Sequence, residues 1–165
     1  MEITSIPSFL SYYDKTRAIT YKIIDVISHD KLDWSYAPGK FTVADLVRHI
    51  AAIERNVYAE VVSGNRPRYS GCGKELADGL ENIIGFFNEM HVQSVEIFRS
   101  LPDKDLKTKI TSLDGKKVLM SSFLRSLVVH EIHHRGALCI YLNILGISTP
   151  PVIGLTEEQV KQLSK

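Results

Sequence analysis

Residues 121–146 read SSFLRSLVVHEIHHRGALCIYLNILG. At about 100° per residue, Leu124, Leu127, His130, His134, Leu138, Tyr141 and Leu145 fall on one face of a helix. Ser121 or Ser122 can cap its start and Gly146 can stop it. Two positions of this core-type stripe are histidine. His130 and His134 are one turn apart and only about 40° apart around the axis, so both can reach one ion. Taking the apolar stripe as the core direction, His134 lies near its centre and His130 within about 60°, while His133 falls roughly 100° or more away. A buried imidazole needs partners for both ring nitrogens, and a shared metal would supply one for each ring.

The rest of the chain supplies helices against which this one can pack. Phe9, Leu10, Tyr13, Ile24 and Ile27 have helical spacing from Pro7 to about Ser28. A loop containing Trp34 and the Pro38-Gly39 turn comes next. Thr42 with Asp45 resembles a capping box, and Leu46, Ile50, Ile53, Val57 and Val61 then form a stripe to about Ser63. Gly64–Gly73 (GNRPRYSGCG) reads as a mobile loop. Leu76, Leu80, Ile83, Phe87, Met90, Ser94, Ile97 and Leu101 step by four and three as a third helix. Lys107–Val118 is β-branched and polar around Asp114-Gly115, as in a hairpin. Thr156–Leu163 reads as a short surface helix with a Thr156/Gln159 capping box. The expected architecture is all-α: one domain over residues 1–165, a four-helix bundle with a short β-hairpin excursion before the last long helix.

At 165 residues, with 44% hydrophobic and 24% charged, the chain can bury a core without staples, which excludes a disordered segment or a disulfide scaffold. Twenty Lys+Arg against 19 Asp+Glu give a net charge of +1, so no global field draws it to nucleic acid or an anionic membrane. The apolar run Ala137–Ile147 is broken by Asn143 and Gly146 and falls short of the ~20 residues of a membrane span. Two cysteines, Cys72 and Cys139, and a start without a signal-peptide pattern imply a cytoplasmic setting.

A metal held by His130 and His134 wants a third ligand. His49, on the flank of the second helix's stripe, is the first candidate, and His91 on the third helix is its rival. A lone histidine on an apolar face is more often a hydrogen-bonded core residue, but here spacing and inward aim agree across two helices. His130-Glu131-Ile132-His133-His134 also matches H-E-x-x-H, the zinc-peptidase pattern, as a minor alternative. Its extended form would need Gly and His where Ala137 and Ile140 stand. Glu131 and Tyr141 are weak catalytic candidates. Glu131 is otherwise a surface or interface ion pair with Arg135, and Tyr141 otherwise core. Glu54 and Glu60 are further acid/base candidates. Cys139 reads as packing, Cys72 as an exposed loop thiol, and Arg66 and Arg68 as solvated.

Three stretches resemble the DinB/YfiT-like family of metal-dependent bundle enzymes: Leu32-Asp33-Trp34 with Pro38-Gly39-Lys40-Phe41-Thr42-Val43, Asp45-Leu46-Val47-Arg48-His49-Ile50, and Val129–Leu138 with its double His followed by Arg-Gly. The resemblance spans nearly the whole chain. It implies a four-helix bundle, commonly a homodimer, with one divalent ion, nickel or zinc, held by His49, His130 and His134. Family members often carry Gln where this chain has Ala137. For activity, the resemblance implies transfer of a low-molecular-weight thiol, a thiol-dependent isomerisation, or hydrolysis.

Three neutral imidazoles leave a full 2+ charge on an ion, which lowers the pKa of a bound water or thiol. The expected function is therefore metal-dependent thiol transfer or hydrolysis on a small-molecule substrate. The alternative is a non-catalytic metal-binding stress-response or interaction bundle.

Overall fold

A computed structural model describes residues 2–165. Helix α1 spans Ile6–Ile24, with Ser5 accepting from the Ser8 N–H as N-cap. It ends four residues before the expected Ser28, and the chain then makes a short 3-10 turn, His29–Lys31. Helix α2 starts at Val43 under the expected Thr42/Asp45 capping box. It runs as α-helix over Val43–Ile53, widens to a π turn over Glu54–Ala59 and closes with an α turn at Glu60–Val62. Such a π turn fits one extra residue into the spiral and rotates the succeeding turn about the axis, a feature that periodicity alone does not show.

Helix α3 spans Leu80–Arg99. Leu76 lies in the turn before it, and Gly79 makes the entry at φ +82°, a left-handed conformation that favours glycine. Its buried positions are Ile83, Phe87, Ser94 and Phe98, so the seam passes through Phe98 rather than Ile97. A straight helix has 3.6 residues per turn and drifts away from a strict heptad within two repeats.

Strands β1 (Lys109–Thr111) and β2 (Lys117–Leu119) pair antiparallel, Ile110 opposite Val118, as the expected hairpin. Helix α4, Met120–Ile144, runs directly out of β2. No serine caps it; the Met120 N–H donates instead to the Thr108 carbonyl at the hairpin base, 3.0 Å away. Helix α5, Glu157–Leu163, carries the Thr156/Gln159 capping box on the surface.

Helices α1 and α2 each pack on both α3 and α4, so the first two helices in sequence stand at diagonal corners of the bundle. The core divides into two apolar clusters, one around Phe9, Phe98 and Leu124, the other around Ile23, Val47, Phe87 and Leu138. A buried polar layer of Thr16, Arg17, Thr20, Glu54, Glu131 and Arg135 lies between them in sequence on α1, α2 and α4. Among the described residues no helix is long and apolar enough to cross a membrane.

Candidate metal centre

The inward face of α4 keeps Leu124, Leu127, Leu138 and Tyr141 of the stripe that periodicity selects but not its histidines. Leu124, Leu127, Val128, Glu131, Arg135, Leu138 and Leu142 are buried, whereas His130 and His134 are half-buried on the flank toward α2. A bundle helix touches two neighbours and so buries a wide face, and here the histidines occupy its edge.

That edge meets His49 of α2. One ring nitrogen from each of His49, His130 and His134 lies within 4.8 Å of the others, an arrangement able to hold a metal ion. The rings of His49 and His134 are 4.5 Å apart between centroids, and those of His130 and His134 4.4 Å. Nε2 of His49 is 3.1 Å from Nε2 of His130. Nitrogens bound at about 2.0–2.1 Å to one ion sit roughly 3 Å apart, so the spacing fits. The donor set is all imidazole, which suits zinc, nickel, copper or iron.

Electrostatics agree with neutral rings. Burial, then the neighbouring imidazoles, pushes His130 down to about 3 and His134 down to about 4. Burial also lowers His49. All three therefore offer lone pairs near neutral pH.

Residues that sequence reasoning passed over shape the site. Nδ1 of His49 is 2.8 Å from the Tyr69 hydroxyl. Burial, first, raises the Tyr69 phenol, so it keeps its proton. With Nδ1–H donating to the hydroxyl oxygen, the tautomer a metal ligand at Nε2 requires, Nε2 of His49 is the ring's free lone pair. Phe41 packs 5.0 Å from the His49 ring, and Tyr58 6.4 Å from that of His130.

Tyr69 sits in the glycine-containing loop that reads as mobile, but the loop is fastened at both ends. The Arg68 N–H donates 2.8 Å to the Asn56 carbonyl within the π turn, and the Asn65 N–H donates 2.9 Å to the Glu60 carbonyl. Burial would raise the Glu60 carboxyl, yet bonds from Arg55, Arg68 and Asn65 hold it below its ordinary value. Arg68 is thus paired rather than simply solvated. Fully buried Arg48 donates to the carbonyls of Cys72 and Ala77 and to Asp45, tying the loop to the turn of α2 that bears His49. Cys72 is consequently buried, not exposed.

The remaining candidates lie elsewhere. His91, the rival ligand, places Nδ1 2.9 Å from Glu54 and is outside the three-histidine group. His133 is exposed, with its ring 4.9 Å from that of His134. His29 is exposed, as expected.

Glu131 is fully buried, not a surface pair with Arg135: its carboxylate accepts from Thr20 at 2.6 Å and faces Arg17 at 3.3 Å. With both oxygens so engaged, it does not stand as the general base that the H-E-x-x-H reading needs. Tyr141 packs edge-on against Trp34 and Tyr36. Glu54 is buried beside Arg17 and His91.

The chain is similar to known proteins over most of its length. YjoA of Bacillus subtilis (strain 168), itself uncharacterized, is 27% identical over 145 residues, 86% of this chain and 92% of that protein. YfiT of the same organism is 25% identical over 125 residues, 69% of this chain and 70% of that protein. A solved structure of a DinB-like protein from Bacillus cereus ATCC 10987 superposes with a TM-score of 0.76 at 23% identity, covering 90% of this chain and 97% of that one. The solved structure of YfiT, described as a probable metal-dependent hydrolase with an unusual four-helix bundle topology, gives a TM-score of 0.67 at 20% identity over 87% of this chain and 89% of that one. The sequence profile of the DinB superfamily matches residues 12–138, which include all three clustered histidines, and the chain belongs to that superfamily.

Proposed function

We propose that this protein is a metal-dependent enzyme in which His49, His130 and His134 hold one divalent ion, nickel or zinc. It acts on a small-molecule substrate by hydrolysis or by transfer of a low-molecular-weight thiol. The observation that supports the reading most is the convergence of three neutral imidazole nitrogens from two helices within 4.8 Å. Three protein ligands rather than four leave a coordination position for a reactant. When bound, such an ion lowers the pKa of a coordinated water or thiol and polarises a substrate oxygen.

The chain's own residues do the rest. Tyr69 fixes the tautomer of His49. Phe41, flanking the rings of both His49 and His134, shields one side from water. Arg48 anchors the loop that carries Tyr69. The relative YfiT, described as a probable metal-dependent hydrolase, supports the hydrolytic branch. Family resemblance supports thiol transfer and a homodimer, and the two unpaired cysteines support a reducing, cytoplasmic setting.

The test is metal content by plasma mass spectrometry, on protein purified without a metal-affinity tag, for the wild type and for His49→Ala, His130→Ala and His134→Ala. Near-stoichiometric metal lost in each variant supports the trio. Wild-type protein that neither contains metal nor takes up zinc or nickel overturns it. Loaded protein is then screened with thiol acceptors and hydrolysable esters and amides. Bound metal without turnover in either screen favours the non-catalytic bundle.

A further inference from the structure

Helices α1 and α4 and the segment 150–154 enclose a cavity of about 480 Å³, away from the α2 face that meets the histidines. Arg135 lines it and is only 6% exposed. Among the described residues, its one hydrogen bond runs from Nη1 to the Thr16 carbonyl, 3.2 Å away, and no carboxylate lies within ion-pairing distance of it. Its neighbour in the polar layer, Arg17, faces two carboxylates, so the difference is local rather than a property of the layer. The side chain is largely buried, but its Nε and Nη2 carry no protein partner and are not sealed from solvent, so they are open to an incoming bidentate anion.

The surroundings add charge of the same sign. Lys15 and Lys22 line the same cavity from α1, and none of the residues around it is acidic. The walls are apolar, with Ile19 and Ile23 on one side and Ile132 on the other. Ile153, which also lines the cavity, is 95% exposed and leaves a large aliphatic surface uncovered. One buried and two exposed cations beside aliphatic walls, in a volume typical of small-ligand sites, select a molecule with an anionic head and an apolar body.

We infer that this cavity binds an amphipathic organic anion, a carboxylate or phosphate ester with an aliphatic portion, whose head pairs with Arg135 and whose body lies along Ile19, Ile132 and Ile153. Lys15 and Lys22 attract the anion and flank its head. The site stands independently of the metal reading, because none of its residues belongs to the three-histidine group.

The test uses the full chain with isoleucine methyl groups labelled for NMR and three probes of equal chain length: octanoate, octyl phosphate and neutral octanol. Saturable shifts of the Ile19, Ile23, Ile132 and Ile153 methyls, with Ile50 unmoved as control, are the expected result. Octanoate or octyl phosphate should bind at least tenfold more tightly than octanol, and the tighter of the two identifies the head group. Arg135→Gln should weaken the anion at least tenfold and leave octanol unchanged. Because that variant removes a buried group, Lys15→Glu with Lys22→Glu provides a second arm on the exposed helix surface, expected to weaken the anion at least threefold. Equal binding of all three probes, anion binding insensitive to both variants, or no saturable shift for either anion overturns the proposal. A cavity closed by a second copy of the chain would show as the last of these together with dimer in sedimentation, and overturns it too.

Discussion

Nε2 of His49 faces Nε2 of His130 at 3.1 Å, bringing together two residues 81 positions apart in the chain. In the metal-free protein the contact joins one ring's N–H to the other's lone pair, and burial with the neighbouring imidazoles holds His130 down at about 3 and His134 at about 4. In the unfolded chain each titrates near 6.5. Between the folded and unfolded values the unfolded state binds more protons, so stability is fully present above about pH 6.5 and is lost as pH falls toward 4. Urea midpoints of chelator-treated protein should therefore drop steadily from pH 7 to pH 5, above the range where carboxylates titrate. His130→Gln should flatten that slope, and an unchanged slope in the variant would mean that the imidazoles are not the source.

Tyr69 gives the same site a handle that is not itself a proposed ligand. Its hydroxyl is 2.8 Å from Nδ1 of His49, and removing an oxygen that orients a ligating imidazole typically costs 10–100-fold in metal affinity. Tyr69→Phe should weaken zinc or nickel at least about tenfold in competition with a chromophoric chelator. Its thermal midpoint without metal should stay near the wild type, since the ring is retained. Wild-type affinity in this variant would show that the hydroxyl does not set the tautomer.

How much of this arrangement is legible in the sequence depends on the range of the interactions involved. Thr42/Asp45 and Thr156/Gln159 are legible as capping boxes because each is complete within four residues. The start of α4 is not, because the Thr108 carbonyl that replaces a serine cap belongs to the hairpin base twelve residues back. His130 and His134 are legible as a pair because i,i+4 spacing is a property of the helix alone. Their position at the flank is not, since the choice between two candidate inward faces depends on Arg17 and Thr20 receiving Glu131 from a helix more than 100 residues away. Tyr69 and Arg48 act through a loop whose anchoring at Asn56 depends on the π turn, and no periodicity announces that turn.

Cys72 makes a further distinction between loop context and loop structure. The carbonyl of Cys72 accepts from Arg48 at 2.7 Å, and burial, foremost, raises its thiol above the ordinary value. Burial likewise raises Cys139. The thiolate is the reactive form, so both should react slowly at neutral pH. Labelling by a disulfide reagent should proceed at least about tenfold more slowly in native than in urea-unfolded protein. One fast equivalent that persists in Cys139→Ser would place Cys72 outside the buried arrangement described.

Arg17 is the centre of the polar layer: Nη1 lies 3.0 Å from Glu54 and 3.3 Å from Glu131, Nη2 donates to the Phe87 carbonyl at 2.6 Å, and the guanidinium stacks 3.3 Å above the Phe87 ring. One cation thus joins all four long helices through two fully buried carboxylates. Removing it leaves both carboxylates without their counter-ion in a medium where an uncompensated charge is expensive. Arg17→Met should destabilise by about 3–5 kcal/mol in urea unfolding. If the loss comes from stranded charge rather than lost packing, adding Glu54→Gln and Glu131→Gln to Arg17→Met should recover part of it, because neutral amides do not require a buried counter-ion. The triple variant would then be more stable than the single one, a non-additivity expected of groups that share one network. A triple variant as unstable as the sum of its parts would instead assign the stability to the stacking of Arg17 on Phe87.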